Sequence, residues 1–351
     1  MTDGGVAREL GDSGVAPVRH GPQWWLYRGT GQALDPTERD QRWPEPPPWR
    51  DFPGDDDLPA PPPNAAETQR RLGSDTVAHV SDRRTVDMVN AAIYLSRPLI
   101  VTGRPGTGKS ALAHLISREL GLGRVLQWPI TSRATLRSGL YEYDAFGHAQ
   151  AVGSGGELDI GNFIHLGPLG TALLPHRLPR VLLIDELDKS DIDLPNDLLS
   201  VFEEGEFTIR ELVRVRDRDP QVMVHAEDPG VRALVRDGIV RCHAFPIVVI
   251  TSNEEREFPS ALLRRCLTVR IPDPTTARLA EMVAAHFQGS TNSRIGDLIH
   301  RFVEQRQEKD GLAVDQLLNA VQLATSGAFD GDDAFTELLD AIWHRLSAGA
   351  G

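Results

Sequence analysis

Residues 103–110 read Gly103-Arg104-Pro105-Gly106-Thr107-Gly108-Lys109-Ser110, a complete phosphate-binding loop of the form G-x-x-x-x-G-K-[ST]. Composition sharpens the match. Of 37 basic residues only three are lysines, Lys109, Lys189 and Lys309, and one of them stands where a nucleotide loop needs an ammonium. The flanks agree. Leu99-Ile100-Val101-Thr102 is a short apolar run that reads as a buried strand. Ala111 to Leu120 has helix-forming composition and is closed by Gly121. Strand, glycine loop and helix in that order aim backbone N–H groups and a helix N-terminus at an anion. Pro105 fixes φ, while Gly106 and Gly108 let the chain curl with no Cβ in the way.

Working outward, five apolar runs read as core strands: 99–103, 125–130, 181–185, 247–252 and 267–271. Helical stretches separate most of them, which predicts an α/β fold, a three-layer αβα core on a mainly parallel sheet. After Pro272 and Pro274 no strand signal remains. Four helical segments follow, near 275–288, 293–309, 314–325 and 333–347, with apolar residues at three- and four-residue spacing. The expected organisation is an extension over 1–65, a nucleotide-binding core over 66–273 and a helical lid over 274–347. The extension is rich in Pro, Gly and Asp, yet holds four of the six tryptophans, Trp24, Trp25, Trp43 and Trp49. It either docks on its own body or a partner, or stays irregular.

The second apolar run of interest, Val181 to Ile184, ends in Asp185 and Glu186. Hydrolysis needs Mg²⁺ held in place and a water aligned for in-line attack. Asp185 suits the metal shell through water, Ser110 suits direct Mg²⁺ ligation, and Glu186 suits the general base. Lys109 suits the β- and γ-phosphates. The run Ile247 to Ser252 ends in Asn253, which could orient the attacking water; a turn-capping role is the plainer alternative.

Phosphate loop, Asp-Glu strand, Asn-tipped strand and a helical lid together resemble an AAA+ ATPase over about 75 to 345. The resemblance implies a P-loop NTPase sheet of order 5-1-4-3-2 with a four-helix lid, and ATP and Mg²⁺ as cofactors. Gly103 to Ala111 and Asp185 become the nucleotide-contacting set, and Asn253 the sensor 1 residue. The stretch Phe258-Pro-Ser-Ala-Leu-Leu-Arg264-Arg265-Cys266 resembles the family's arginine-finger segment, with Arg265 the first choice and Arg264 the second. Such a finger reaches a neighbouring subunit's nucleotide, which implies a ring, usually a hexamer. Gly161 to Leu169 and Glu206 to Phe245 resemble the two insertions of the MoxR group, within inserts spanning about 147–166 and 206–245. The Trp24-Trp25 and Pro-Pro-Pro-Trp49 segments resemble a MoxR subset found beside von Willebrand A-type proteins in bacterial conflict clusters. One feature departs from the family: Lys309-Asp-Gly-Leu-Ala-Val-Asp315 holds no arginine where sensor 2 often stands, and Lys309 is a poor substitute.

The remaining features narrow the function. A net charge of −13 argues against a surface built for nucleic acid, and arginines between 210 and 241 alternate with acids, as on a solvated face. Cys242 and Cys266 are far apart in sequence, and no histidine pair has metal-ligand spacing. The chain lacks a signal-peptide pattern and any run of about 18 apolar residues, so a cytoplasmic protein without membrane contact is expected. Tyr141 and Tyr143 follow the second strand, where such rings place a pore loop, or else pack locally. Lys189 sits at an interface or in a surface ion pair. The absence of N-K-x-D favours ATP over GTP. The sequence therefore predicts a ring-forming Mg²⁺-dependent ATPase that remodels or activates a protein client, possible clients including a von Willebrand A-type protein. A nucleotide-gated assembly switch and a nucleic-acid-processing motor are the alternatives.

Overall fold

The computed structural model describes residues 22–54, 65–74, 81–153, 159–287, 293–308 and 312–326, together with Leu58, Pro61, Pro63, Leu338, Leu339 and Trp343. In the first of these stretches helix α1 (Pro36–Arg42) starts on Asp35, whose carboxylate accepts from the amides of Thr37 and Glu38. Helices α2 (Ala65–Leu72) and α3 (Arg83–Leu95) follow, the latter capped by Asp82. Strand β1 (Leu99–Thr102) leads through the glycine loop into α4 (Ala111–Leu120), which Gly121 ends in the left-handed conformation. Strand β2 (Leu126–Pro129) is next.

A first inserted region then builds α5 (Leu136–Leu140), β3 (Tyr141–Tyr143), α6 (Ala145–Gly153), β4 (Ile164–Leu166) and α7 (Pro168–Ala172). Strand β5 (Val181–Asp185) and helix α8 (Leu194–Glu204) return to the core. A second inserted region supplies β6 (Glu206–Thr208), α9 (Arg210–Val213), β7 (Gln221–His225), β8 (Arg232–Arg236) and β9 (Ile239–Arg241). Strand β10 (Ile247–Ser252), helix α10 (Ser260–Arg265) and strand β11 (Leu267–Arg270) close the core. Helices α11 (Thr276–His286), α12 (Ser293–Glu308) and α13 (Val314–Thr325) form the lid.

The five expected core strands form one parallel sheet, ordered β11-β1-β10-β5-β2. This is the order 5-1-4-3-2 of a P-loop NTPase. Such a sheet must be covered on both faces, and alternation along the strands achieves it. Ile100, Leu182, Ile184, Val248 and Ile250 pack into one cluster, while Leu99, Val101, Val181, Leu183 and Val249 pack into another. A third cluster holds the lid together, with Phe302 and Trp343 edge to face. The fourth expected lid helix, near 333–347, lies outside the described residues apart from Leu338, Leu339 and Trp343.

The inserted regions hold more structure than their sequence announced. Their strands join a second, six-stranded sheet, β3-β4-β7-β8-β9-β6. Residues 161–169 pass from a 3-10 turn into β4, whose antiparallel partner β3 lies before α6. Helix α7 begins at Pro168.

The segment 22–54 is tied to the core by buried polar contacts. The amides of Gly29, Thr30 and Gly31 donate to the buried carboxylate of Glu119 at 2.8 to 3.2 Å, and that of Arg28 joins them. The Asn90 side chain accepts from the amides of Leu26 and Tyr27 and donates to the carbonyls of Tyr27 and Val86. Arg50 donates to the carbonyls of Phe202 and Ser96 and stacks 4.4 Å from the Phe245 ring centre. Buried amides stripped of an acceptor are costly. Asn90→Ala should therefore lower stability by about 2–4 kcal/mol in urea denaturation and expose residues 22–31 to protease. A loss under about 0.5 kcal/mol with unchanged proteolysis would show that this anchor is energetically idle.

Candidate functional site

Parallel pairing brings the C-terminal ends of β1, β10 and β5 side by side, and the chemistry collects there. The loop after β1 curls tightly. Gly106 has φ +72°, and a Cβ there would meet Ala313 of the lid at 2.4 to 2.5 Å, so only glycine permits this approach. The amides of Gly106, Gly108, Lys109 and Ser110 have no hydrogen-bond partner among the described residues. Unpaired amides at the mouth of α4 form an anion cradle.

Lys109 is buried and fully engaged. Its ammonium donates to the carbonyls of Gly103 and Arg104 at 2.8 and 3.0 Å and to Asn253 Oδ1 at 2.7 Å. Burial pulls its pKa down from the usual lysine value, while Asp188, Asp185 and Glu186 pull it back up. Asn253 Nδ2 in turn donates to Glu186 Oε1 at 3.2 Å. Ser110 Oγ and Thr251 Oγ1 both donate to Asp185 Oδ1, at 2.7 and 2.6 Å. Two connected polar paths thus link the loop to the ends of β5 and β10.

Glu186 stands in the left-handed region at φ 61° and ψ 49°, a conformation that costs about 1–2 kcal/mol for a residue with a Cβ. Its amide, donating to Thr251 Oγ1 at 2.8 Å, holds that turn. Its second carboxylate oxygen accepts from Lys189 at 2.8 Å, and this bond is the main cause raising the Lys189 pKa. Lys189 is therefore in an ion pair within its own chain.

A cavity of about 440 Å³ opens over these groups. Pro105, Gly106, Gly108, Lys109, Ser110, Ala111, Asp185, Glu186, Thr251 and Asn253 line the core side; Met282, His286, Val314, Asp315 and Leu318 line the lid side. The expected residues Gly103, Arg104 and Thr107 do not line it. Gly103 packs behind the loop with its carbonyl on Lys109. Arg104 points away to an ion pair with Asp273 at 3.3 Å. Thr107 is buried and lines a second hollow on the other flank, with Thr85, Leu112, Ile271 and Pro274. A serine hydroxyl beside a carboxylate is a donor set that fits a hard cation such as Mg²⁺, which takes few protein oxygens and completes its shell with water and phosphate.

Arg264 and Arg265 also lie outside this cavity. Both are exposed on α10; Arg265 pairs with Glu203, and the Arg264 guanidinium donates to the Ser260 carbonyl of its own helix. Tyr141, a candidate pore aromatic, is buried at 5% exposure, and its hydroxyl donates to Glu211 at 2.8 Å. The Tyr143 hydroxyl meets His148 at 2.5 Å. The local-packing alternative describes both tyrosines, because β3 belongs to the second sheet and turns them inward. The arginines of the second insert are largely matched by acids, as in Arg241 with Glu206 and Arg232 with Asp159.

Two site residues escaped sequence reading. Thr251 joins Asp185 to Glu186, but a threonine inside an apolar strand carries no signal. Asp188 is buried and accepts from the amides of Asn253 and Glu255 at 2.9 and 3.1 Å, fixing the loop that presents Asn253. Its position three residues after Asp185 was visible; its partner across the sheet was not.

Residues 98–266 match the family model described as AAA domain, dynein-related subfamily. No curated protein matches the chain. NtrX from Brucella abortus in complex with ADP is similar at 16% identity and a TM-score of 0.36, over 75% of this chain and 55% of that one. PCH-2 from C. elegans is similar at 13% identity and a TM-score of 0.40, over 80% of this chain and 73% of that one. This chain therefore spans little more than half the length of the NtrX chain. The matched stretch runs from the residue before β1 to the residue after α10.

Proposed function

We propose that this protein is a Mg²⁺-dependent ATPase that works as a ring, most simply a hexamer, and remodels or activates a protein partner. The supporting observation is the continuous path Lys109–Asn253–Glu186 across three neighbouring elements. On this reading a phosphate-binding cation, a polar positioner and a carboxylate base share one hydrogen-bonded set. When triphosphate enters, Lys109 exchanges its loop carbonyls for phosphate oxygens, and the free loop amides bind the same anion. Ser110 and Asp185 would hold Mg²⁺, which would supply charge neutralisation to the β- and γ-phosphates. Glu186 takes the proton of the attacking water, and Asn253 aligns that water. The hollow beside Thr107 leaves room for the base.

Arg265 fits a finger supplied to a neighbour, since it is exposed and turned away from its own cavity. Arg264 is the second choice. The partner is read by resemblance as a MoxR-type client. The inward packing of Tyr141 and the acid Asp315 in the lid favour a second reading, a nucleotide-gated switch that assembles, presents a surface and releases it.

Glu186→Gln should retain ATP affinity while phosphate release falls by about 10²-fold or more. Equal losses of binding and turnover would remove Glu186 from the base role. A mixing experiment tests the finger. Lys109→Ala and Arg265→Ala should each be nearly inactive alone, with losses on the order of 10³ or more. Their equimolar mixture should regain phosphate release, because the first can lend its arginine to the second. A mixture as inactive as its components, with Arg264→Ala complementing instead, would transfer the assignment to Arg264.

A further inference from the structure

Helix α2 lies outside the residues matched by the AAA domain, yet it borders the nucleotide cavity and ties core to lid. On the core side, Gln127 of β2 donates to Glu67, and Arg71 Nη2 donates to Gln127 Oε1 at 2.9 Å. On the lid side, the Ser74 amide donates to the carbonyl of Ala285 in α11 at 2.8 Å. Gly73 makes this approach possible: its φ is +71°, and a Cβ would sit 2.5 Å from the Ala285 oxygen. A one-turn-per-side clamp of this kind feels any movement of lid against core.

Arg71 and Leu72 line the cavity beside Lys109, Ser110 and Asp185. Lys109 and Arg71 are the permanent cations of that wall, set against Asp185, Glu186 and Asp315. Arg71 is exposed, held by a neutral amide, and in no ion pair among the described residues. His114 lies one turn beyond Ser110 on the same wall. It is 2% exposed, and its Nε2 has no hydrogen-bond partner among the described residues. Burial, then the Arg71 guanidinium, pushes its pKa down to about 4, so the ring is neutral and able to share a hydrogen bond with an incoming group. Arg71 and His114 share this lining with the hydrogen-bonded Ser110–Asp185 pair. At the lid, the position that could have offered a further cation presents Asp315 instead.

We infer that Arg71 is a phosphate-contacting residue supplied by the same chain, whose guanidinium binds the terminal phosphate of a nucleoside triphosphate beside His114, so that α2 reports triphosphate against diphosphate to the lid. This rests on the ATPase reading above. A guanidinium fork matches two phosphate oxygens, and Gln127 holds it at the cavity mouth without neutralising it. Loss of the terminal phosphate leaves the fork with only its amide, and α2 is then free to follow α11.

The test is fluorescence anisotropy with mant-labelled AMP-PNP and mant-labelled ADP, each with magnesium, on the full chain. Arg71→Ala should weaken AMP-PNP binding about tenfold and change ADP binding less than twofold, with Arg71→Lys recovering part of the loss. A triphosphate-to-diphosphate ratio equal to wild type in a folded Arg71→Ala protein would overturn the proposal. If that variant melts early, the same unchanged ratio in Arg71→Lys and Arg71→Gln would overturn it too. Wild-type protein that binds neither nucleotide would bring down the ATPase reading and this inference with it. Nucleotide binding that Lys109→Ala abolishes, alongside an unaltered Arg71 ratio, would sink the inference alone.

Discussion

Parallel pairing of β1, β10 and β5 is the constraint on which the rest of this structure depends. It sets Thr102 beside Ser252 and Ile250 beside Ile184, so that the phosphate loop, Asn253 and the Asp185–Glu186 turn emerge as neighbours. None of these groups is close in sequence. The register is enforced by burial on both faces: a slip of one residue would exchange the two apolar clusters and turn every side chain to the wrong side. Charged and strained groups at the strand ends are tolerated because this sheet is too well buried to yield. Glu186 in the left-handed region and the buried Lys109 ammonium are both costly alone, and both are held by bonds to β10 or the residue just after it.

The sheet was legible because its five strands are continuous apolar runs between helices, and the loop because its glycines and lysine have one physical reading. Strand ends matched closely, as at Val181–Asp185 and Ile247–Ser252. The second sheet was not legible. Its strands are three to five residues long and half exposed, so their alternation is too short to rise above a solvated loop. Within the site, Asp185, Glu186 and Asn253 could be named from position at strand ends. Thr251 and Asp188 could not, since each matters only through a partner on the adjacent strand. Arg71 was hidden for a similar reason: it precedes the domain by more than twenty residues in sequence and reaches the cavity only through folding.

The tryptophans of the leading segment divide along the same line. Trp25 and Trp43 pack against the core cluster behind β1, whereas Trp49 is 74% exposed. The half-buried pair is structural, and Glu119 and Asn90 hold the neighbouring stretch 26–31 by collecting backbone amides that would otherwise be orphaned. This segment and α2 together wrap the nucleotide core, giving a domain of ordinary topology an additional layer that touches both its sheet and its lid. Core-side residues Gly106 and Gly73 pack directly on the lid at Ala313 and Ala285, and the described third lid helix carries no arginine.

The central claim is that triphosphate held on this loop is cleaved with a group lent by an adjoining subunit. Phosphate release per subunit, measured for the wild-type protein across a hundredfold range of protein concentration in magnesium and saturating ATP, tests it most directly. Specific activity rising steeply as subunits associate, then levelling, is the predicted result. Specific activity that is constant across that range, or absent throughout despite association, would contradict the account.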